Sequence, residues 1–144
     1  MKKINYFSYE AGRHFMVSLP HKGDILQIVS DFCIDKKIHT ASFSIIGAVF
    51  SAVFGFYDQK QQVYATEKQE GSLEIISCTG NVTLKDNKPF IHAHILLGND
   101  KSEIFGGHLF SETIVFAGEL YITELLGDPI KRAKDTTTGL MLFS

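Results

Sequence analysis

The sequence predicts an α+β fold: a single compact domain with a largely antiparallel, twisted sheet of the meander or half-barrel type and one main helix near the N-terminus. Three observations predict it. Segments rich in β-branched and aromatic residues, separated by short turn signals, fill most of the chain after residue 40. Residues 24–37 instead carry apolar side chains at helical spacing. A length of 144 residues suits one domain with its own core.

A strand and then the helix are predicted at the start of the chain. The segment RHFMVSLP predicts a short strand that ends at Pro20. Asp24 is the predicted N-cap of the helix, and Lys36 and Lys37 suit the negative end of the helix dipole. The apolar set at helical spacing consists of Ile25, Ile28, Val29, Phe32 and Cys33.

The middle of the chain predicts several short strands. Residues 39–58 predict two strands joined at a tight bend, because Gly47 and Gly55 interrupt an otherwise strand-forming segment. Residues 61–69 and 72–84 predict two more strands. Strands that follow one another closely in sequence tend to pair, so an antiparallel meander is expected.

The remaining segments predict a turn, a hairpin and a long strand. Turn chemistry at residues 86–89 precedes a predicted hairpin over residues 90–110, and residues 112–125 predict the long strand. Residues 128–144 predict a helical turn or loop followed by an apolar segment. The basic group KRAK within them is interpreted as a solvated face.

Charge and composition limit the possible functions. The net charge is −2, and only Arg13 and Arg132 among fourteen basic residues are arginines, so direct DNA affinity is expected to be weak. No apolar run reaches the roughly 20 residues of a membrane span, and no secretory signal is visible. We therefore expect a cytoplasmic protein without a membrane partner, with Cys33 and Cys78 as buried free thiols.

Three histidines form the most informative pattern in the sequence, FIHAHILLGNDKSEIFGGHLF at residues 90–110. In a strand, His92 and His94 point to one face, opposite the apolar face of Ile91, Ala93, Ile95 and Leu97. A three-residue loop after Gly98 would place His92 across from His108. A two-residue turn would place His108 opposite Ile91, unless a bulge at the Gly-Gly pair restored the register.

Three converging imidazoles with an open fourth position are typical of a Zn²⁺ site, whereas the alternative is a polar sheet face wetted by solvent. His92, His94 and His108 are therefore the predicted metal ligands. Imidazole also suits copper, nickel and iron. The carboxylates that could orient an imidazole or act as a base are Glu103, Glu112 and Glu119.

The remaining histidines are interpreted as surface or packing residues: His14, His21 and His39.

Ordered motifs along nearly the whole chain resemble the plants and prokaryotes conserved (PPC) domain, also described as a PD1-like DNA-binding domain. The motifs are KGDIL, IIGAV, GFYD, LEIISCTGNV, PFIHAHILLG, IFGGHLF and TGLMLF. The resemblance implies one PPC-like domain over residues 1–144, of the stand-alone prokaryotic type without an AT-hook. It also implies a homotrimer, a DNA-binding or regulatory function and, in some members, a metal held by the histidines that match His92, His94 and His108.

Three functions remain open from the sequence. The first is a non-catalytic module that contacts DNA or a DNA-associated protein partner. The second is a zinc-dependent lyase or hydrolase with a small carbonyl compound bound at the metal, since the fold group also looks similar to acetolactate decarboxylase. The third is a structural metal. The sequence identifies no catalytic residue, which favours a non-enzymatic protein.

Overall fold

Long antiparallel strands dominate the fold in a computed structural model, which describes residues 4–144. Within these residues there is one α-helix, and the predicted α+β class and single domain are confirmed. The elements are β1 (Glu10–Leu19), α1 (Ile25–Lys36), β2 (Ala41–Asp58), β3 (Val63–Lys85), β4 (Lys88–Gly98), β5 (Ile104–Leu126), β6 (Arg132–Lys134) and β7 (Met141–Phe143).

The main sheet is a meander that closes on itself. β2, β3, β4 and β5 pair antiparallel in sequence order, and β5 then pairs with β2, so the four strands form a ring. β1 adds to the free edge of β5. The predicted meander is confirmed, and the closure leaves few unpaired edges in the sheet.

The helix follows its sequence signals closely. Asp24 is its N-cap, because the side-chain oxygen Oδ1 accepts a hydrogen bond of 3.0 Å from the backbone N–H of Gln27. Lys37 ends the helix in a left-handed conformation, and its backbone N–H donates to the last turn. Ile25, Val29 and Cys33 are buried on one helical face, as the apolar spacing predicts.

The predicted bend within residues 39–58 is wrong, since β2 runs unbroken from Ala41 to Asp58. Gly47 has a positive φ of 139°, and a side chain there would collide with the backbone carbonyl of Ala117 in β5. The register shifts near Gly47. Glycine therefore permits a bulge and a close strand approach at this point, rather than a chain reversal.

Two further strand boundaries differ from the prediction in the same way. The segments 61–69 and 72–84 join into β3, and the second strand of the hairpin joins residues 112–125 in β5. The predicted turn at residues 86–89 is confirmed as a tight connection between β3 and β4. The C-terminal segment forms a small hairpin, β6 with β7, instead of a helical turn.

The core lies between the inner face of the ring and α1. Ala93, Ile95 and Leu97 of β4 are buried there, which confirms the predicted apolar face of the histidine strand. Cys33 and Cys78 are buried free thiols, as predicted, and burial raises the pKa of each to about 12. Among residues 4–144, no helix has the length and hydrophobicity to span a membrane.

Candidate metal centre

The hairpin of β4 and β5 brings His92, His94 and His108 to one face of the sheet. His94 lies directly across from His108, and Gly98 pairs with Ile104. The predicted pairing of His92 with His108 is therefore wrong by two residues. Because side chains alternate faces with a period of two, this shift leaves the three histidines on the same side of the sheet.

The error in register comes from the loop. Residues 99–103 connect the strands, two more than the predicted three-residue loop. The side-chain oxygen of Asn99 accepts hydrogen bonds of 3.0 Å from the backbone N–H groups of both Lys101 and Glu103. This asparagine stabilises a five-residue loop that turn propensity alone did not distinguish from a shorter one.

The three imidazole rings form a nearly equilateral triangle. The ring centroids are 5.3 Å apart for His92 and His94, 5.0 Å for His92 and His108, and 5.5 Å for His94 and His108. One nitrogen from each ring can be chosen so that all three lie within 4.8 Å of one another. The predicted ligands thus converge on a common point.

The Gly106–Gly107 pair explains how β5 reaches this position. A side chain at Gly106 would collide with the carbonyl oxygen of Ile95 in β4, and one at Gly107 with the carbonyl oxygen of Gly55 in β2. Successive glycines therefore allow β5 to approach both neighbouring strands where the ring closes. His108 follows directly and is held between β2 and β4.

Burial and neighbouring charge keep two of the imidazoles neutral. Burial is the main cause that lowers the pKa of His108 to about 4, and the nearby His92, His94 and Arg132 lower it further. Burial also lowers the pKa of His92, with smaller contributions from Arg132 and His94. Neutral imidazole is the form that coordinates a metal ion.

Aromatic rings pack around His108. The ring of Tyr64 lies 4.7 Å from the His108 ring and that of Phe110 lies 4.8 Å away, measured between centroids. Tyr57 packs on Tyr64 at 5.0 Å. These contacts restrict the orientation of the imidazole and shield one side of it from water.

A cavity of about 420 Å³ adjoins the histidine cluster. One residue that lines it, Arg132, was not predicted from the sequence as part of the site. His92 and His108 line it together with Arg132, whose side chain is half-buried. The interpretation of KRAK as a solvated face is therefore wrong for Arg132. The only local signal was the rarity of arginine, because the contact depends on how the C-terminal hairpin folds back on the sheet.

The predicted carboxylates do not join the histidines. Neither of the two cavities that the histidines line includes Glu103, Glu112 or Glu119 among its described residues. Glu112 instead lies 3.8 Å from the ammonium group of Lys68. Within residues 4–144, the three predicted glutamates thus line neither of these cavities, and the structure does not support them as groups that orient an imidazole or act as a base.

The other three histidines lie at the surface, where two of them make local contacts, as predicted. Nδ1 of His14 lies 3.1 Å from the hydroxyl oxygen of Thr123. His21 donates a hydrogen bond of 2.7 Å from Nδ1 to the carbonyl oxygen of Phe116. His39 is exposed. In residues 4–144 these three lie outside the metal-type cluster.

The donor set of the cluster fits a transition metal. Three imidazoles with no carboxylate match the nitrogen-rich sites that bind zinc and its neighbours in the first transition row. In the described part of the chain, no protein group hydrogen bonds to the rings of His92, His94 or His108. Their nitrogen lone pairs are therefore free for an ion.

A closed ring of strands, one packed helix and a histidine triad on the sheet define a small α+β domain. The chain belongs to the Plants and Prokaryotes Conserved (PCC) domain family, whose profile matches residues 6–126. The family resemblance seen in the sequence motifs is thereby confirmed. A search of curated proteins finds no match.

Several solved structures have nearly the same fold as this chain. A metal-containing protein of Archaeoglobus fulgidus is 44% identical over 98% of this chain and 99% of its own, with a TM-score of 0.94. A PPC protein of Pyrococcus horikoshii is 35% identical over 98% and 97%, with a TM-score of 0.92. A candidate DNA-binding protein of Bacteroides thetaiotaomicron is 26% identical over 94% and 96%, with a TM-score of 0.84.

Proposed function

We propose that this chain is a homotrimeric, metal-binding PCC domain with a regulatory function, in which His92, His94 and His108 hold a divalent transition metal. Zinc is the expected ion, because it accepts neutral imidazoles in a site with an open fourth position. When bound, zinc would supply a Lewis acid to which one further ligand can bind.

The convergence of the three imidazoles carries this proposal. Nitrogens bound at about 2.0–2.1 Å to a tetrahedral zinc are roughly 3.4 Å apart, so small rotations of side chains now within 4.8 Å would complete the site. The neutral state of His92 and His108 favours binding near pH 7. The metal-containing relative from Archaeoglobus fulgidus is consistent with it.

The test is metal content, measured by inductively coupled plasma mass spectrometry on protein purified without a histidine tag. We expect about one metal ion per chain in the wild type and a large loss in the single alanine variants of His92, His94 and His108. His14→Ala and His39→Ala are matched controls that should keep the ion. Full metal content in the three cluster variants would refute the proposal.

Exposed apolar side chains on the sheet support a trimer. Met16 and Tyr121 are cross-strand neighbours on β1 and β5, and Ile46 of β2 lines the same shallow groove. Their exposed fractions are 81%, 48% and 56%, respectively. Ile76 and Leu96 are exposed on β3 and β4. Apolar side chains on adjacent strands form surfaces that protein association covers, and a cyclic trimer needs two such surfaces per chain.

Sedimentation equilibrium tests the trimer. We expect the wild type to have three times the mass of one chain, and Ile46→Glu to dissociate it because a charge would be buried in the interface. Ile34→Glu is the matched control, since Ile34 is exposed to a similar extent, 58%, but lies on α1. A wild-type monomer, or equal masses for both variants and the wild type, would contradict this part of the proposal.

Contact with DNA or with a DNA-associated protein is the proposed regulatory activity. The likeness to a candidate DNA-binding protein supports it. Both arginines are engaged within the chain: Arg13 bonds to Glu124 at 2.7 and 3.0 Å, and Arg132 is half-buried. Direct affinity would rest on lysines and depend steeply on salt. Absence of a mobility shift with duplex DNA at low salt would rule out direct DNA binding and leave contact with a DNA-associated protein as the proposed activity.

The cavity at the histidines favours a second candidate function, a zinc-dependent lyase or hydrolase acting on a small carbonyl compound. His92 and His108 line a space of about 420 Å³, within the size range of small-molecule sites. Assays of the metal-loaded protein with small esters and keto or hydroxy acids test it. If the wild type turns over none of these substrates, or if His92→Ala turns them over equally well, the enzymatic function is ruled out for the substrates used.

A further inference from the structure

The cavity beside the histidine triad is lined by a few polar side chains and many apolar ones. His92, His108 and Arg132 are among the residues that line it. Aromatic and aliphatic side chains form most of the remaining wall, among them Tyr64 and Leu140. None of the described residues that line the cavity is acidic. The cavity lining thus combines one cationic side chain with mostly apolar side chains.

Arg132 is held in a fixed orientation. Its Nε donates a hydrogen bond of 2.8 Å to the hydroxyl of Thr83, Nη1 donates to the carbonyl oxygen of Met141 at 2.8 Å, and Nη2 donates to the side-chain oxygen of Asn81 at 2.9 Å. The rings of Phe90 and Phe143 lie 4.9 and 4.8 Å from Cζ. The guanidinium is therefore positioned before any ligand arrives.

These contacts leave the charge of Arg132 uncompensated. All three acceptors are neutral, and no carboxylate forms an ion pair with this guanidinium within residues 4–144. A guanidinium carries five N–H donors, so one remains on each of the two terminal nitrogens. A half-buried positive charge with two free donors is a receptor for an anion with two oxygen atoms.

We propose that this cavity binds a small organic monocarboxylate, with the carboxylate paired to Arg132 and the apolar body among the surrounding aromatic and aliphatic side chains. The inference rests on the proposed function, because a ligand in this position would lie beside the metal held by His92 and His108. It names the ligand class of that site as a carboxylate.

The composition of the wall distinguishes a carboxylate from phosphate. A phosphate group usually requires several cationic or backbone donors, whereas Arg132 is the one arginine or lysine among the described residues that line this mostly apolar space. The wall is itself braced, since Tyr57 donates to the carbonyl oxygen of Thr138 at 2.6 Å and Gln62 to that of Thr137 at 3.0 Å. The C-terminal hairpin is thereby fixed as one side of the cavity.

Calorimetric titration of the 144-residue chain with benzoate, benzamide and inorganic phosphate tests the inference. Benzamide matches benzoate in shape but lacks its charge. We expect benzoate to bind the wild type, and benzamide and phosphate to bind at least about tenfold more weakly. Arg132→Gln should weaken benzoate binding by at least about tenfold, because it removes the charge and the paired donors. Equal binding of benzoate and benzamide, tighter binding of phosphate, or no binding of benzoate would overturn the assignment.

A second variant covers the case in which Arg132→Gln fails to fold. Leu140→Trp should fill the cavity and abolish benzoate binding without touching the hydrogen bonds of Arg132. Unchanged binding in either folded variant would refute the site. Titrations with and without a chelator separate this inference from the metal proposal. Benzoate binding that needs Arg132 in metal-free protein supports the anion site even if the metal proposal fails, whereas a stoichiometric metal without such binding refutes the anion site alone.

Discussion

Acidification of the metal-free protein should destabilise it through His108. The folded protein holds the pKa of this imidazole at about 4, below the ordinary value of about 6.5. The unfolded chain therefore binds a proton between these two pH values that the folded chain does not. The resulting stability is fully present above about pH 6.5 and is lost as the pH falls towards 4.

The size of the effect follows from the pKa difference. At about 1.4 kcal/mol per pH unit, the difference corresponds to about 3 kcal/mol for a fully shielded group. His108 is only partly buried, so solvent screening reduces the expected loss to about 1–2 kcal/mol. His92 contributes in the same direction, because its pKa is also lowered.

Urea unfolding in the presence of a chelator, at fixed protein concentration and at several pH values from 7.5 to 4.5, measures this loss. The variant His108→Gln cannot titrate at this position, so its free energy of unfolding should fall less over the range. His14→Gln, outside the cluster, should behave like the wild type. If His108→Gln and the wild type lose equal free energy of unfolding on acidification, protonation of His108 does not cause the loss.

Three further predictions concern the fold that supports the site. Gly106→Ala should reduce both the melting temperature and the metal content, because the new methyl group collides with the carbonyl oxygen of Ile95; unchanged values for both would contradict the close approach of β5 to β4 at this position. Ile122→Ala, at a fully buried position near the C-terminal end of β5, should cost about 2–5 kcal/mol in urea unfolding, and a cost below about 1 kcal/mol would refute its core position. Cys33 and Cys78 should react with a thiol reagent only after unfolding, since burial raises the pKa of each to about 12; rapid reaction of the folded protein would contradict this.

The histidine face could be predicted from the sequence because it depends on the simplest property of a strand. Alternation places His92 and His94 together on one face whatever the neighbouring strand does. The partner of each histidine depends on the loop, which turn propensity specified to within two residues. Since two is the period of the strand, the predicted ligand set was unaffected by the wrong register.

Other features depended on contacts between distant parts of the chain. From the local sequence alone, Gly47 and Gly55 suggest a bend. In the structure, a neighbouring strand passes so close to each position that only glycine fits there. The position of Arg132 is set by Asn81 and Thr83, about fifty residues away in sequence. Periodicity and turn chemistry contain no information about such contacts.

Anomalous X-ray diffraction from crystals of untagged protein, at the absorption edge of the metal that the protein contains, would locate the metal directly. We expect an anomalous peak among the imidazole nitrogens of His92, His94 and His108, and none in crystals of the His108→Ala variant. A peak at another position, or no peak at the three histidines in protein that contains stoichiometric metal, would contradict the proposed metal site.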